Sequence, residues 1–414
     1  MPFSASTLRR VAVWTLAITA ACLPLYVVRW HVGALPTTLL ELLIFLSALT
    51  YAAVLWTERR WPATRTPYDI PIALLLVAGL VSIAVAPDQQ RALGIYRAYF
   101  IEAIAVFYIA ADLLRTREDL YVLLRATAIG AVIMAVGQIV SFGWVAAHHE
   151  LQLGDAPAFL NTSANADAMY LEPPLAFAAA FTFFPSRPKE RLLAAPVLVI
   201  VFVAIILTLS RASYLAMAVL GLVLVLSLQS WKWRLRAIGA FAALSLIIVE
   251  IPFINQRLID IAHSVTNRTS IYHQALEMLS QRPIFGAGFD GFPVRVAPFR
   301  PGTQSIHLYP HNIWLTTWSE VGLLGVIAFA IIFFGVLWRA ARALPASSDV
   351  YRPLLWGIVG ALVLYTVHGM FDSPYWKNDL SVEFWLLAAL QVVAVRSTAS
   401  RGPGGRSHAT PKPT

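Results

Sequence analysis

The chain has 414 residues, of which 58% are hydrophobic and only 13% are charged. About a quarter of the residues in an ordinary soluble domain are charged, so this composition excludes a soluble globular protein. The formal net charge of +9 is distributed over many short segments rather than concentrated in one basic patch. We therefore predict a protein of the lipid bilayer with no nucleic-acid partner.

Apolar runs of about 20 residues, the length that crosses a bilayer as a helix, recur along the chain. Backbone polar groups in lipid must be hydrogen-bonded internally, so these runs predict an all-α integral membrane protein. We predict about twelve transmembrane helices, at residues 11–28, 36–56, 69–86, 92–111, 120–142, 168–184, 192–209, 212–229, 236–254, 312–338, 353–371 and 380–396. The chain then divides into a nine-helix membrane region, a large and partly helical periplasmic loop, a three-helix membrane region and a disordered basic tail, at residues 1–254, 255–311, 312–396 and 397–414.

Basic residues are concentrated in alternate connections between the predicted helices. This positive-inside pattern predicts that both termini are cytoplasmic. The basic connections carry Arg9 and Arg10; Arg59, Arg60 and Arg65; Arg115 and Arg117; Arg187, Lys189 and Arg191; Lys232, Arg234 and Arg236; and Arg339, Arg342 and Arg352. The first helix is expected to be an uncleaved anchor, and the one cysteine, Cys22, excludes an intramolecular disulfide.

Two connections on the other side are long, at residues 143–167 and 255–311, and loops of this length usually serve a function. The second, which we call the long loop, contains five arginines and only three acidic residues. An arginine-rich surface there is explained either by attraction to lipid headgroups or by recognition of a phosphate or pyrophosphate group.

Within the long loop, apolar residues at helical spacing predict a helix from Thr269 to Gln281, with Asn267 as its start signal. Arg268 would then lie at the helix N-terminus, an end that favours anions. A cation there is electrostatically unfavourable unless an anion binds beside it. This position argues for an anionic ligand.

The segment Gly286–Gly291 matches the spacing G-x-G-x-x-G of dinucleotide-binding loops. Such a loop requires a preceding strand and a following helix, whereas here a helix and Pro283 precede it and Pro293 follows. We therefore reject nucleotide binding and predict that these glycines form a tight turn against a helix.

Arg211 lies between two apolar runs, in the segment Thr208–Tyr214, with almost no loop around it. Its guanidinium either extends to the outer headgroups or serves a function. A single arginine in so short an outer turn opposes the charge bias of the other connections, and hydroxyl side chains surround it. We favour a functional role.

His311 stands where the long loop meets a membrane helix. A titratable side chain at this position can bind a phosphate or transfer a proton beside a lipid-borne substrate. The alternative is an interfacial histidine that only caps the helix. We expect Arg211, Arg268 and His311 to line one cavity at the outer face.

These residues resemble motifs of the O-antigen ligase/O-antigen polymerase superfamily of bacterial envelope glycosyltransferases. The resemblance covers most of the chain in topology and is specific mainly from about residue 208 to 325. It rests on Ser210-Arg211 with Tyr214, on Asn267-Arg268 with Pro283–Gly288, on His311-Asn312 with Glu320 and Gly322–Gly325, and more loosely on Asn161–Leu171.

The resemblance implies a GT-C-like fold and a donor glycan carried on undecaprenyl pyrophosphate. It also implies that Arg211 and Arg268 bind the diphosphate and that His311 is catalytic or binds the phosphate. Asn312, Tyr214, Glu320 and His368 are possible supporting residues. No organic cofactor is expected.

The chemistry of transfer agrees with these residue types. Arginines can stabilise a departing pyrophosphate, and a histidine can serve as general base for the acceptor hydroxyl. The outer carboxylates are scattered, which favours a metal-independent mechanism. Glu320 is more readily interpreted as a structural carboxylate than as a catalytic one. His368 has Asp372 one turn further on, and their pairing is either functional or a structural hydrogen bond.

The motifs do not separate a ligase from a polymerase. A ligase would move the glycan to lipid A-core, and a polymerase would extend a growing lipid-linked glycan. We favour the ligase; a third branch of the superfamily, which glycosylates protein, is disfavoured because only a short basic tail follows the last helix. A secondary transporter also has many helices, but its charged residues would more often lie within paired, interrupted helices.

Overall fold

The computed structural model describes residues 4–33, 35–62, 65–148, 151, 156–228, 230–259, 261–302, 306–348 and 350–399. Helices dominate these residues. In chain order they are α1 (Ala5–Ala21), α2 (Leu39–Glu58), α3 (Asp69–Val85), α4 (Gln89–Tyr96), α5 (Ala103–Leu113), α6 (Arg117–Ala147), α7 (Ala164–Phe183), α8 (Pro188–Leu207), α9 (Arg211–Ser227), α10 (Trp231–Val249), α11 (Pro252–Ile259), α12 (Ile261–Gln281), α13 (Phe292–Arg295), α14 (Ile313–Ala343), α15 (Arg352–His368) and α16 (Asn378–Ala399). A π-helical turn, Arg97–Glu102, joins α4 to α5.

A helix lies at each of the twelve predicted spans, with α4, the π-helical turn and α5 together forming the fourth. Three of these helices, α3, α9 and α15, are apolar but short. Among the described residues, six helices are long and apolar enough to cross a membrane: Leu39–Glu58, Gln89–Leu113, Arg117–Ala147, Pro188–Leu207, Ile313–Ala343 and Asn378–Thr398. The helical membrane fold is confirmed, whereas the number of twelve crossings stays a prediction.

A short hairpin is the one addition to the predicted all-α fold in the described part of the chain. Strands β1 (Arg29–Val32) and β2 (Leu35–Thr38) pair antiparallel between α1 and α2. Sequence periodicity does not reveal strands of four residues that continue directly into a helix.

The predicted division of the chain stays a prediction. Helix α14 begins two residues after the long loop. The predicted disordered tail, residues 397–414, lies outside the described residues except for 397–399, which belong to α16.

The core of the bundle is organised around α16. In its most apolar stretch 83% of the residues are buried, compared with 17% in α8. The ring of Trp385 on α16 packs 5.3 Å from that of Phe107 on α5, and Phe384 stacks on Phe333 of α14. Helix α8 is apolar yet exposed, which is the environment of a helix that faces lipid.

The two ends of the bundle differ in charge. At one end Arg9 forms a salt bridge with Asp119, and Arg396 donates a hydrogen bond of 2.6 Å to the carbonyl of Arg65. We call this end the basic face. Helix α16 crosses from it to the end that carries His311, which we call the His311 face. The basic face agrees with the positive-inside pattern, and the cytoplasmic placement of the termini stays a prediction.

Helix α14 is interrupted at Gly322, whose φ of 68° and ψ of −174° are not helical. The backbone of the long loop fills the break. The N–H of Leu323 donates to the carbonyl of Ile284 at 2.9 Å, and the N–H of Ala287 donates to the carbonyl of Ser319 at 2.7 Å. A side chain at Gly322 would place its Cβ 2.2 Å from the Ile284 oxygen. Glycine is therefore required where the long loop is fastened to α14.

The glycines of the Gly286–Gly291 segment form the turn that makes this contact. Gly286 and Gly288 have φ values of 65° and 81°. A Cβ at Gly286 would lie 2.4 Å from the carbonyl oxygen of Ser319. The predicted tight turn against a helix is confirmed.

Replacing Gly322 by alanine should lower the Tm of the detergent-solubilised protein. The combination of φ 68° and ψ −174° is adopted almost only by glycine and costs an L residue about 1–3 kcal/mol, and the clash with Ile284 adds to it. The control is Gly143→Ala in α6, where no other atom lies within 4 Å of the added methyl group. That variant should be unchanged or slightly more stable. Equal Tm values for the two variants would show that the break in α14 does not depend on glycine.

Candidate functional site

His311 is the residue before the cap of α14 and has a left-handed backbone, with φ of 56°. Non-glycine residues rarely adopt this conformation, and the examples that do occur are concentrated at functional sites. The side-chain oxygen of Asn312 accepts hydrogen bonds from the N–H groups of Trp314 and Leu315 at 3.0 and 3.1 Å. Asn312 therefore caps the helix, and the interpretation of His311 as a cap is wrong.

The imidazole of His311 faces the carboxylate of Asp372. Nδ1 of the histidine lies 3.5 Å from Oδ1 of the aspartate, and 29% of the histidine side chain is exposed. Its ring also lies 4.5 Å from the ring of Tyr309 and 5.7 Å from that of His307. His311 is thus partly accessible and oriented by a carboxylate, an arrangement suited to proton transfer.

Asp372 lies in the connection between α15 and α16 and is 5% exposed. Its Oδ2 accepts a hydrogen bond from the side-chain amide of Asn165, and its Oδ1 accepts one of 2.8 Å from the N–H of Ser373. Burial by itself raises the pKa of a carboxyl group. Here the hydrogen bond from His311 and the charges of His311, His368 and Arg268 outweigh burial, so the pKa of Asp372 lies well below its usual range.

Tyr309 is a second partner of the same carboxylate. The charge of Asp372, together with burial, raises the pKa of the Tyr309 hydroxyl well above its usual range. The neutral hydroxyl hydrogen-bonds with Asp372. The carboxylate is therefore held ionised by several donors.

Arg268 lies in the interior of α12, because this helix begins at Ile261. The prediction of a helix that starts after Asn267 is wrong, and so is the placement of Arg268 at a helix N-terminus. Asparagine is only mildly unfavourable inside a helix, so Asn267 does not break it. The helix-dipole reason for an anion at Arg268 therefore does not apply.

The surroundings of Arg268 supply a different reason for a ligand. Its guanidinium lies over the ring of Phe371, 5.7 Å from the centroid, beside Asp372 in the chain. Its NH1 atom is buried and has no hydrogen-bond partner among the described residues. A buried donor of this kind is suited to an anionic ligand, because guanidinium groups bond strongly to phosphate oxygens.

Tyr272 connects Arg268 to His311. One turn after Arg268 on α12, its hydroxyl lies 3.1 Å from the carbonyl oxygen of His311 and 2.5 Å from that of Met370. It also hydrogen-bonds with the guanidinium of Arg268. The long loop therefore contributes Arg268 directly to the surroundings of His311 and Asp372.

Arg211 is the first residue of α9 and follows the capping residue Ser210. The hydroxyl of Ser210 donates a hydrogen bond of 2.5 Å to Asn165, the residue that bonds to Asp372. The hydroxyl of Tyr214 donates to the carbonyl of Ile206 at 2.6 Å and closes the turn from α8 to α9. The structure thus joins the start of α9 to the same hydrogen-bonded group as His311.

His368 does not pair with Asp372 through its side chain, so that prediction is wrong. Its Nδ1 lies 2.6 Å from Oε1 of Glu172, and both side chains are fully buried. The hydroxyl of Ser213 lies 3.3 Å from the same nitrogen. The side chain of His368 is directed into the bundle toward α7, whereas Asp372 belongs to the connection that follows α15.

Glu320 contacts the turn of the long loop. Its Oε2 accepts a hydrogen bond of 2.7 Å from the N–H of Asp290, and Ser82 donates to its backbone carbonyl at 2.5 Å. These contacts favour the structural interpretation, because they fasten the Gly286–Gly291 turn.

Sequence reasoning missed the polar residues of α7 that bond to Asp372 and to His368. Asn165 and Glu172 lie seven residues apart on α7 and therefore share one helix face. That spacing was a usable signal. The pairing of Asp372 with His311 joins two distant parts of the chain, so no regular spacing in the sequence predicts it. Among the described residues, no group of three or more His, Cys, Asp or Glu side chains could hold a metal ion.

Residues 196–330 match a family model described as O-antigen ligase. The matched segment contains Arg211, Arg268 and His311, whereas Asn165 and Asp372 lie outside it. No curated protein matches the chain at a significant level. The resemblance to this superfamily is confirmed for the matched segment. With the apolar helices, it indicates a multi-pass protein of the bacterial inner membrane and a glycosyltransferase-like enzyme of polysaccharide assembly.

Asp372→Asn should lower the Tm by an amount that depends on pH. A carboxyl whose pKa is lowered by folding stabilises the protein above its unfolded pKa of about 4, and this stabilisation is lost as the pH falls below that value. The Tm difference between wild type and variant should therefore be full at pH 5–6 and shrink below about pH 4. Glu277→Gln, at an exposed position on α12, is the control. A difference that stays constant down to pH 3 would contradict the ionised, buried Asp372.

Proposed function

Starting from the O-antigen ligase domain at residues 196–330, we propose that the protein is an O-antigen ligase-type glycosyltransferase. It transfers a glycan from undecaprenyl pyrophosphate to an acceptor hydroxyl of lipid A-core. The reaction takes place at the His311 face, which is then periplasmic, and both termini are cytoplasmic. The observation that carries the proposal is the meeting of Arg268, His311 and Asp372 at this face.

Arg268 and Arg211 bind the diphosphate of the donor in this proposal. The buried NH1 of Arg268, without a partner among the described residues, supports it, because a guanidinium binds two phosphate oxygens through parallel hydrogen bonds. Negative charge grows on the departing pyrophosphate as the glycosidic bond breaks. Cations already in position stabilise that charge without reorganisation.

His311 accepts the proton of the acceptor hydroxyl, or alternatively binds a phosphate oxygen. The first role is favoured by Asp372, because a carboxylate against Nδ1 orients the ring and stabilises the imidazolium that forms. Asn165 and Tyr309 hold that carboxylate in place. Asp372 acts through His311 and is therefore a positioning residue.

The acceptor decides between a ligase and a polymerase, and glycolipids of a deletion strain test it. A ligase is supported if long glycan disappears from lipid A-core while the lipid-linked polymer accumulates. Accumulation of a single repeat on the lipid carrier would instead identify a polymerase. Unchanged glycolipids would refute both.

Arg211→Lys and Arg268→Lys should each lower the transfer rate about 10²–10³-fold, although both variants keep the positive charge. A lysine is a point charge and does not reproduce the bidentate grip of a guanidinium. The matched control is Arg282→Lys, also in the long loop, which should retain nearly full activity. Equal rates for all three variants would favour lipid-headgroup attraction as the explanation of these arginines.

His311→Ala should lower transfer about 10²–10⁴-fold, the usual contribution of a general base. The protein should still insert and accumulate, because Asn312 rather than His311 caps α14. His273→Ala, at an exposed histidine on α12, should be active. Transfer by His311→Ala at the wild-type rate would exclude a chemical role for this residue.

Transfer by the purified protein should persist in EDTA, because the proposed mechanism is metal-independent. The outer carboxylates are dispersed in the sequence, and divalent cations require several oxygen ligands together. Loss of activity in chelator that magnesium or manganese restores would refute this mechanism.

A further inference from the structure

A cavity of about 650 Å³ lies between α6, α7, α8 and α16, away from His311. Its volume falls within the range of about 300–1,000 Å³ that is common for ligand sites. It opens at the basic face, beside Arg117 at the start of α6, and reaches Glu383 near the start of α16. Glu383 precedes Arg396 by thirteen residues, so the cavity is about 20 Å deep.

The walls of this cavity are apolar and open toward the bilayer. Leu124, Phe177 and Val197 line it, as does Leu193, which is 64% exposed. Helix α8, which forms one wall, is the least buried of the six candidate spans. The exposed surface of α8 is therefore the side of the cavity nearest to the hydrocarbon chains of the bilayer. One leaflet of the hydrocarbon core is about 15 Å thick, so the depth suits a chain from the leaflet at the basic face.

The mouth of the cavity carries positive charge. Arg187 and Lys189 lie there, and Arg125 lies about two turns further along α6, with its guanidinium over the Tyr121 ring. All three are exposed and form no salt bridge among the described residues. Arg117 is instead neutralised by Glu190 at 2.9 Å. Glu118 is the remaining carboxylate at the mouth, so three cations face one anion there. Basic pockets between membrane helices at this level of a bilayer bind anionic lipid headgroups.

We propose that this cavity binds an anionic glycerophospholipid of the leaflet at the basic face. Its phosphodiester headgroup contacts Arg125, Arg187 and Lys189, and one acyl chain lies along the apolar walls. A soluble anion would leave the apolar walls unfilled, and an uncharged lipid would leave the exposed cations without a counter-ion. The combination of both features favours a lipid that is anionic and has a long chain.

The site is distinct from the proposed glycan-transfer site. Helix α8 begins at Pro188, beside the lysine at the mouth of the cavity, and ends near Ser210, so about 30 Å of helix separates the mouth from the start of α9. The bound lipid would fix α6 against α8, and α8 leads directly to the turn that presents Arg211.

Native mass spectrometry of the full chain tests the proposal, with phosphatidylglycerol and phosphatidylethanolamine as probes. Wild-type protein should bind phosphatidylglycerol preferentially. The triple variant Arg125→Gln, Arg187→Gln and Lys189→Gln should bind it roughly 100-fold more weakly, since each cation contributes to headgroup attraction. The matched control is Arg339→Gln, Arg342→Gln and Arg352→Gln, which removes the same charge from the basic face outside the cavity and should bind normally.

A second variant, Ala194→Trp, fills the cavity without changing its charge and should also abolish retention of the lipid. Equal binding of the two lipids, or equal losses in the triple variant and its control, would overturn the proposal. Displacement of phosphatidylglycerol by undecaprenyl phosphate, with binding that is insensitive to the three cations, would identify the donor's hydrocarbon chain as the occupant instead. These measurements require no glycan transfer, so their outcome is independent of the proposed enzymatic function.

Discussion

The arrangement of side chains at the His311 face depends on the hydrogen bonds and charges that surround the buried carboxylate of Asp372. A buried anion is costly unless charged and hydrogen-bonding groups surround it, and here those groups come from four separate parts of the chain. Asn165 belongs to α7, Arg268 to α12, His311 to the end of the long loop, and Ser373 to the carboxylate's own connection. Satisfying one carboxylate thus fixes the relative positions of an imidazole and a guanidinium, which is the arrangement that the proposed chemistry requires.

The break in α14 provides the second constraint. The backbone of Ile284 and Ala287 bonds to the helix on either side of Gly322, so the long loop is anchored by main-chain hydrogen bonds. Tyr272 adds a contact from α12 to the carbonyl of His311. These contacts tie α12 and the Gly286–Gly291 turn to α14, and they position Arg268 relative to His311.

The fold was largely predictable from sequence because a helix that crosses lipid needs about 20 consecutive apolar residues. Each predicted span coincides with a helix, and Gly286 forms the expected turn. The start of α12 was not predictable, because Asn267 is compatible both with a cap and with a helix interior. Arg211, Arg268 and His311 could be identified as candidates because they are charged or titratable residues at unusual positions in the sequence. Their tertiary partners could not be identified in this way. The sequence predicts that Asp372 pairs with His368. In the structure Asp372 instead contacts His311, and His368 contacts Glu172.

The proposed function requires that this chain alone breaks a glycan–diphosphate bond and passes the glycan to a hydroxyl. Purified protein in liposomes, supplied with a synthetic undecaprenyl-pyrophosphate-linked oligosaccharide and lipid A-core, measures this directly. We expect equal amounts of glycosylated acceptor and released undecaprenyl pyrophosphate, both dependent on the acceptor. Donor that remains intact in the presence of acceptor, or movement of the intact donor across the bilayer, would contradict it.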